Sequence, residues 1–426
     1  MQPKPAASAT FNHAAANPNR TVFSILIAVS MVHLLNDTIQ SVVPAIFPIV
    51  KESLSLSYTE LGLIAFMLNL TASVLQPVIG LYSDRKPQPY LLPLGVVATL
   101  FGVLGLAFSV GFWTMLGSVV LIGIGSSVFH PESAKVAYLA AGARRGLAQG
   151  IFQVGGNAGQ ALAPIMTALI FVPLGQPGIL WFTILAAAAV VIQLFTARWY
   201  SGRLASSAAK KRDRPTEGVP AANRGKVACA ISILVLIITS KMAYLAGMTS
   251  FYAFYLIDKF QLSIQEAQLC VFELLAAGAA GTFFGGPLAD LWGRRNVIWF
   301  SIIGVLPFLF LLPYVNFTVS IVFCIIIGFM MMSSGSVNVV YAQEMLPGNI
   351  GTVSGLFFGL SFGAGGLGAA ALGALADQTS IEFVIQLCAI FPLIGLLAKA
   401  RTVGCRSGRA ELNIKTPLIR DRIRGT

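Results

Sequence analysis

Two stretches decide the fold: Gly80-Leu81-Tyr82-Ser83-Asp84-Arg85-Lys86 and, 206 residues later, Gly286-Pro287-Leu288-Ala289-Asp290-Leu291-Trp292-Gly293-Arg294-Arg295. Each has a glycine, three residues, an aspartate and then paired cations, and each closes an apolar run. A weaker match, Gln149-Gly150-Ile151-Phe152 against Ser354-Gly355-Leu356-Phe357, keeps nearly the same offset. A chain that repeats itself at this spacing consists of two related halves.

The runs around these stretches say what the halves are made of. Hydrophobic residues make up 56% of the 426 positions and charged residues 10%, more apolar surface than a water-soluble fold can hide, so lipid is the solvent. A bilayer core about 30 Å thick needs roughly 20 apolar residues per helix. Twelve such windows are expected, at 22–50, 59–83, 89–110, 112–140, 144–173, 178–200, 227–257, 264–289, 296–315, 318–344, 350–376 and 381–400. The expected fold is an all-α membrane protein of twelve transmembrane helices in two pseudo-symmetric six-helix bundles, residues 21–200 and 227–400. Residues 201–226, with Arg203, Lys210, Lys211, Arg212, Arg214, Arg224 and Lys226, read as a solvated linker. Residues 1–20 lack the apolar core of a signal peptide and read as a tail, and 401–426 as a basic tail.

The formal charge of +12 is read by position. Lys51 and Lys259 fall in loops on one side, Lys135 and Lys241 fall within spans, and the other cations gather on the opposite side. By the positive-inside rule that side, with both termini, is cytoplasmic. This distribution removes nucleic acid as the explanation of the charge. Cys229, Cys270, Cys324, Cys388 and Cys405 show neither disulfide-framework nor metal-ligand spacing and read as small core residues.

The glycine–aspartate–cation pattern resembles the loop motif of the major facilitator superfamily, found there after the second and eighth helices, where both copies stand here. The first copy departs from it at Pro87. Ser126-Ser127-Val128-Phe129-His130-Pro131-Glu132-Ser133, Gly146 to Asn157 and His33-Leu34-Leu35-Asn36-Asp37 are similar to the fosmidomycin resistance subfamily of drug exporters. The resemblance implies the major facilitator fold, a monomer, a bacterial inner membrane and export of a drug.

Residues able to carry transport stand out by their cost in lipid. An ionised side chain at a helix centre costs roughly 2.5 to 3.5 kcal/mol on insertion scales. His33, Asn36, Asp37 and Gln40 keep i, i+3, i+4, i+7 spacing and share one helix face. Asp37 and His33 are expected in proton coupling, with Glu273 as a further membrane-depth carboxylate; Asn36 and Gln40 are expected to contact substrate. In the fourth span His130 is expected to meet an anion, and Pro131 to bend the helix. Glu132 and Lys135, at i and i+3, could pair with each other or gate the cytoplasmic side through Asp84 and Arg85. Asp290, Arg294 and Arg295 are the second gate.

The fifth span carries Gly150, Gly155, Gly156, Gly159, Ala163 and Pro164, resembling the antiporter motif of drug exporters. Gly159 and Pro164 are expected to bend and pack it. Its Gln149, Gln153, Asn157 and Gln160 form a polar stripe for substrate. Lys241, with Tyr244 at i+3, needs a carboxylate, Asp37 or Glu273, or an anionic substrate.

The expected function is a proton-coupled antiporter for a small anionic drug or metabolite, with protons and lipid as its other partners, no cofactor and no metal. Fold alone leaves a proton-coupled uptake symporter open. Three histidines without metal spacing argue against an enzyme.

Overall fold

A computed structural model describes residues 21–142, 144–210, 224–346 and 350–396, without the side chains of 206–210, 224 and 226. Both tails and most of the linker lie outside the described residues. All regular structure among the described residues is helical. Apolar residues on nearly every face make helices that satisfy their own backbone polar groups the one economical solution in lipid.

Ten helical segments are long and apolar enough to cross a membrane, and two apolar segments are shorter. In chain order they are α1 Phe23–Ala45, α2 Tyr58–Arg85, the shorter α3 Leu91–Ala107, α4 Phe112–Ala140, α5 Arg145–Leu174 and α6 Gln176–Ala205. There follow α7 Val227–Phe260, α8 Ile264–Trp292, α9 Arg294–Tyr314, α10 Phe317–Met345, α11 Ile350–Gln378 and the shorter α12 Ile381–Ile394.

The repeat extends to the helix starts. Ser57 and Glu60 form a capping box at the start of α2, with Ser57 N donating to Glu60 Oε2 at 2.8 Å and Glu60 N to Ser57 Oγ at 3.1 Å. Ser263 and Glu266 repeat it at α8, at 2.9 and 3.3 Å. Each box satisfies orphan N–H groups of the first turn.

Several helices break inside the expected windows, and two of the breaks are in α1 and α10. The first helix stops at Ala45 and restarts as Phe47–Ser53, with Pro48 in its first turn, where a missing N–H costs nothing. Within α10 the helix ends at Met332 and resumes at Gly335.

On the outer faces, Leu94, Phe101 and Phe108 of α3 repeat at seven residues and are exposed, a stripe suited to lipid. Inside, α2 packs along α11, α5 along α1 and α8, and α8 along α10. Gly80 meets the Gly351 carbonyl and Gly373 the Tyr58 carbonyl so closely that a Cβ at either would collide. Small residues thus bring α2 and α11 into backbone contact at both ends.

The apolar cores show how the halves join. One cluster spans both halves, from Ile39, Leu61 and Phe171 to Met248, Leu256 and Ile385. Toward the Asp84 end there are three others, built on Leu26, Phe129 and Phe152, on Ile237, Ile302 and Phe357, and on Ala289, Val297 and Val337. The halves therefore share their apolar core at one end and keep separate cores at the other. Cys270, Cys324 and Cys388 are buried free thiols, and Cys405 lies outside the described residues.

Candidate functional site

The polar face of α1 turns inward, with His33, Asn36, Asp37 and Gln40 all buried. Asp37 is the hub. His33 Nε2 lies 3.4 Å from Asp37 Oδ2, and His130 Nε2, arriving from α4, lies 3.4 Å from Oδ1. Asn36 Nδ2 donates to Oδ1 at 3.0 Å, and Gln160 Nε2 of α5 donates to Oδ2 at 3.1 Å. Gln40 joins through Ser126, whose hydroxyl accepts from Gln40 Nε2 at 2.8 Å and lies 3.1 Å from His130 Nδ1.

The glycines of α5 make this meeting possible. At Gly155 and Gly159 a Cβ would strike the Ser30 and Leu34 carbonyls of α1, and at Gly156 it would strike the His33 ring. That ring stacks on Phe152 with centroids 4.1 Å apart. Gly150, by contrast, faces open space. Pro164 lies inside the helix, ahead of a wider turn at Thr167–Phe171, and α4 continues through Pro131.

The carbonyl beside His33 restricts the tautomer of its ring. His33 Nδ1 lies 2.7 Å from the Phe152 carbonyl, an acceptor, so Nδ1 carries a hydrogen. A neutral imidazole then has only a lone pair at Nε2, which faces a carboxylate oxygen. The contact is satisfied when either His33 is an imidazolium or Asp37 is a carboxylic acid. The ligating atoms of His33, Asp37 and His130 lie within 4.8 Å of one another, a donor set also open to a divalent ion. Two amide N–H groups already occupy the carboxylate.

Gln160 also lines a narrow central cavity with Asn157, Tyr244, Leu274 and Met331. Asn157 Nδ2 donates to Thr282 Oγ1 of α8, joining the halves across it. Tyr244 is buried, its hydroxyl without a partner. Gln149 is buried with an unpartnered amide nitrogen, and Gln153 is half-buried. The stripe is therefore split: its Asn157 and Gln160 turn reaches the cavity lining.

Lys241 is buried, but the expected carboxylate partner is absent among the described residues. Its ammonium donates to Ser301 Oγ, to the Met331 carbonyl at 3.0 Å and to Ser334 Oγ at 2.7 Å. Three neutral acceptors use its three N–H groups. Neither Asp37 nor Glu273 forms an ion pair with it, and Glu273, half-buried on α8, stays apart from the Asp37 cluster. The break in α10 supplies both Met331 O and Ser334, which hydropathy does not reveal.

At one end, Asp84 caps α11: Oδ2 accepts from Thr352 N at 2.9 Å and Thr352 Oγ1 at 2.8 Å, and Oδ1 from Gly351 N at 3.3 Å. Lys135 Nζ lies 3.1 Å from Asp84 Oδ1. Of the two alternatives for Glu132 and Lys135, the mutual pair does not form, and Lys135 points instead at Asp84 and Ser83. Arg85, Asp290 and Arg295 are exposed, and Arg294 pairs with Glu344 at 2.7 Å. The two loop copies thus differ, the aspartate acting in one and the arginine in the other. At the opposite end Asp377, the penultimate residue of α11, caps α2, accepting from Thr59 N at 2.7 Å, Thr59 Oγ1 at 2.6 Å and Tyr58 N at 3.1 Å. Sequence reasoning missed Asp377 because its partner lies 318 residues away.

The fold and this buried polar interior define a membrane transporter class, and the Major Facilitator Superfamily profile matches residues 29–369 and 236–415. The chain belongs to the major facilitator superfamily. It is 48% identical to the fosmidomycin resistance protein of Escherichia coli strain K12 over 93% of this chain and 96% of that one. It is also 48% identical to the uncharacterized MFS-type transporter YfnC of Bacillus subtilis strain 168, over 89% of this chain and 93% of that one. Among solved structures, a bacterial homolog of the human lysosomal transporter Spinster, inward-facing and occupied, superposes with a TM-score of 0.70 at 17% identity, covering 93% of this chain and all of that one. The nucleoside transporter NupG superposes with a TM-score of 0.65 at 13% identity, covering 89% and 99%. These likenesses establish the fold.

Proposed function

We propose that this transporter exports fosmidomycin-like anionic drugs in exchange for protons, by alternating access. The observation that carries the reading is the double role of Gln160, which donates to Asp37 and lines the central cavity. A solute that recruits Gln160 withdraws a donor from the carboxylate and shifts the proton balance of the cluster, so binding and protonation are linked. The similarity to the fosmidomycin resistance protein supplies the substrate class.

The proposed frame is twelve spans in two six-helix bundles, counting α3 and α12, in a bacterial inner membrane with both termini cytoplasmic. It places the Asp84 end in the cytoplasm. Lys241, a buried cation whose acceptors are all neutral, is suited to receive the anionic group of the substrate. A potential of 100 mV is worth about 2.3 kcal/mol per charge, and moving an anion out and a proton in are both driven by an inside-negative membrane. No covalent step is involved, and the unit acts as a monomer.

Drug susceptibility of cells carrying matched amounts of wild type, Asp37→Asn and Lys241→Ala tests the assignment. Both variants are expected to lose at least about tenfold of the protection, which corresponds to 1.4 kcal/mol of lost coupling or binding. Wild-type protection by both would remove Asp37 and Lys241 from the mechanism.

A further inference from the structure

We propose that Glu132 is a second proton-carrying site, separate from the Asp37 cluster and coupled to the Asp84 latch. Glu132 is fully buried, and neither carboxyl oxygen has a hydrogen bond of good geometry, the Ser83 hydroxyl being the one donor within reach. The groups facing it are Ser83 and Asp84 of α2 and Lys135 of its own helix. Tyr200 of α6, buried with an unpartnered hydroxyl, faces it as well.

Lys135 is the one cation among these groups, and it is committed elsewhere. Its three N–H groups meet the Ser83 carbonyl at 2.6 Å, Ser83 Oγ at 3.2 Å and Asp84 Oδ1 at 3.1 Å. Two carboxyl groups thus share one ammonium, and Asp84 holds it while it also caps α11. A buried carboxylate with one neutral hydroxyl as its donor, its cation held by another carboxylate, is costlier than the neutral acid. With the latch closed, Glu132 is therefore a carboxylic acid.

The coupling follows from the same geometry. When Asp84 leaves Thr352 and α2 parts from α11, water reaches the pocket and Glu132 can lose its proton to that water. The resulting carboxylate competes with Asp84 for Lys135 and holds the latch open. Reclosure requires the proton to return to a Glu132 oxygen, so one carboxyl group ties protonation to the state of this end. The transport role rests on the proton-exchange reading above, whereas the protonated acid itself does not.

The test is difference infrared spectroscopy of the purified, lipid-reconstituted full chain, with proton release on fosmidomycin addition measured in the same preparations. Wild type and Asp37→Asn are expected to show a protonated-carboxyl carbonyl band that shifts on hydrogen–deuterium exchange. Glu132→Gln, which keeps the neutral shape, is expected to remove that band when added to Asp37→Asn, and alone to release fewer protons per substrate than wild type. A band that Asp37→Asn shows and that keeps its full intensity when Glu132→Gln is added to it, or a band missing from both wild type and Asp37→Asn, overturns the proposal. Absence of substrate-driven release from wild type overturns the exchange reading instead, and the band still decides Glu132.

Discussion

At the scale of single residues, the site depends on atoms that are missing as much as on those present. The His33 ring reaches Asp37 because Gly156 has no side chain to block it. Gly156→Ala is expected to cost about 1–3 kcal/mol by overpacking and to abolish drug protection, while Gly150→Ala, facing open space, stays within about 0.5 kcal/mol of wild type. Thermal unfolding in detergent and susceptibility assays check the pair, and equal effects at both positions would contradict the packing argument. The face of α1 was legible because helical spacing alone puts His33, Asn36, Asp37 and Gln40 together. The surroundings of Lys241 were not, because a serine hydroxyl such as Ser301 or Ser334 carries no hydropathy signal and becomes a ligand only through the tertiary fold. The same limit hid Tyr200, which reads as an ordinary aromatic until its hydroxyl is found buried beside Glu132.

At the scale of helices, α2 and α11 cap each other reciprocally. Asp84 near the end of α2 holds the start of α11, and Asp377 near the end of α11 holds the start of α2. Each cap sets a carboxylate against a positive helix end, a contact worth about 0.5–2 kcal/mol. Asp84→Ala is expected to open the Asp84 end and Asp377→Ala the other, each changing the open fraction about fivefold per kcal/mol lost. Spin-label distances between α2 and α11 at both ends measure this; a shift in the same direction for both variants would contradict opposed latches. Apolar length placed the helices well: the expected window 59–83 became Tyr58–Arg85. It overran Ala45, since Ile46 and Pro48 are apolar and the break there lies in backbone geometry. The Asp84 latch had a local motif to announce it, while Asp377 had none.

At the scale of the molecule, the halves meet through one apolar core toward the Asp377 end and through polar contacts around Asp84 at the other. Separating polar groups that water can re-solvate costs less than exposing a shared apolar core, so the Asp84 end is the readier to open. The internal repeat was legible at residues 80–86 and 286–295, and the capping boxes at Ser57 and Ser263 extend it. The different use of its two copies was not, because Lys135 and Glu344, which answer them, carry opposite charge. The proposed mechanism turns on one linkage, between the cavity and a proton carried at Asp37. Everted membrane vesicles with an imposed proton gradient test it directly: adding fosmidomycin is expected to dissipate the gradient with wild type and not with Asp37→Asn. A gradient untouched by the drug in wild-type vesicles, with the drug instead accumulating in intact cells, would contradict it.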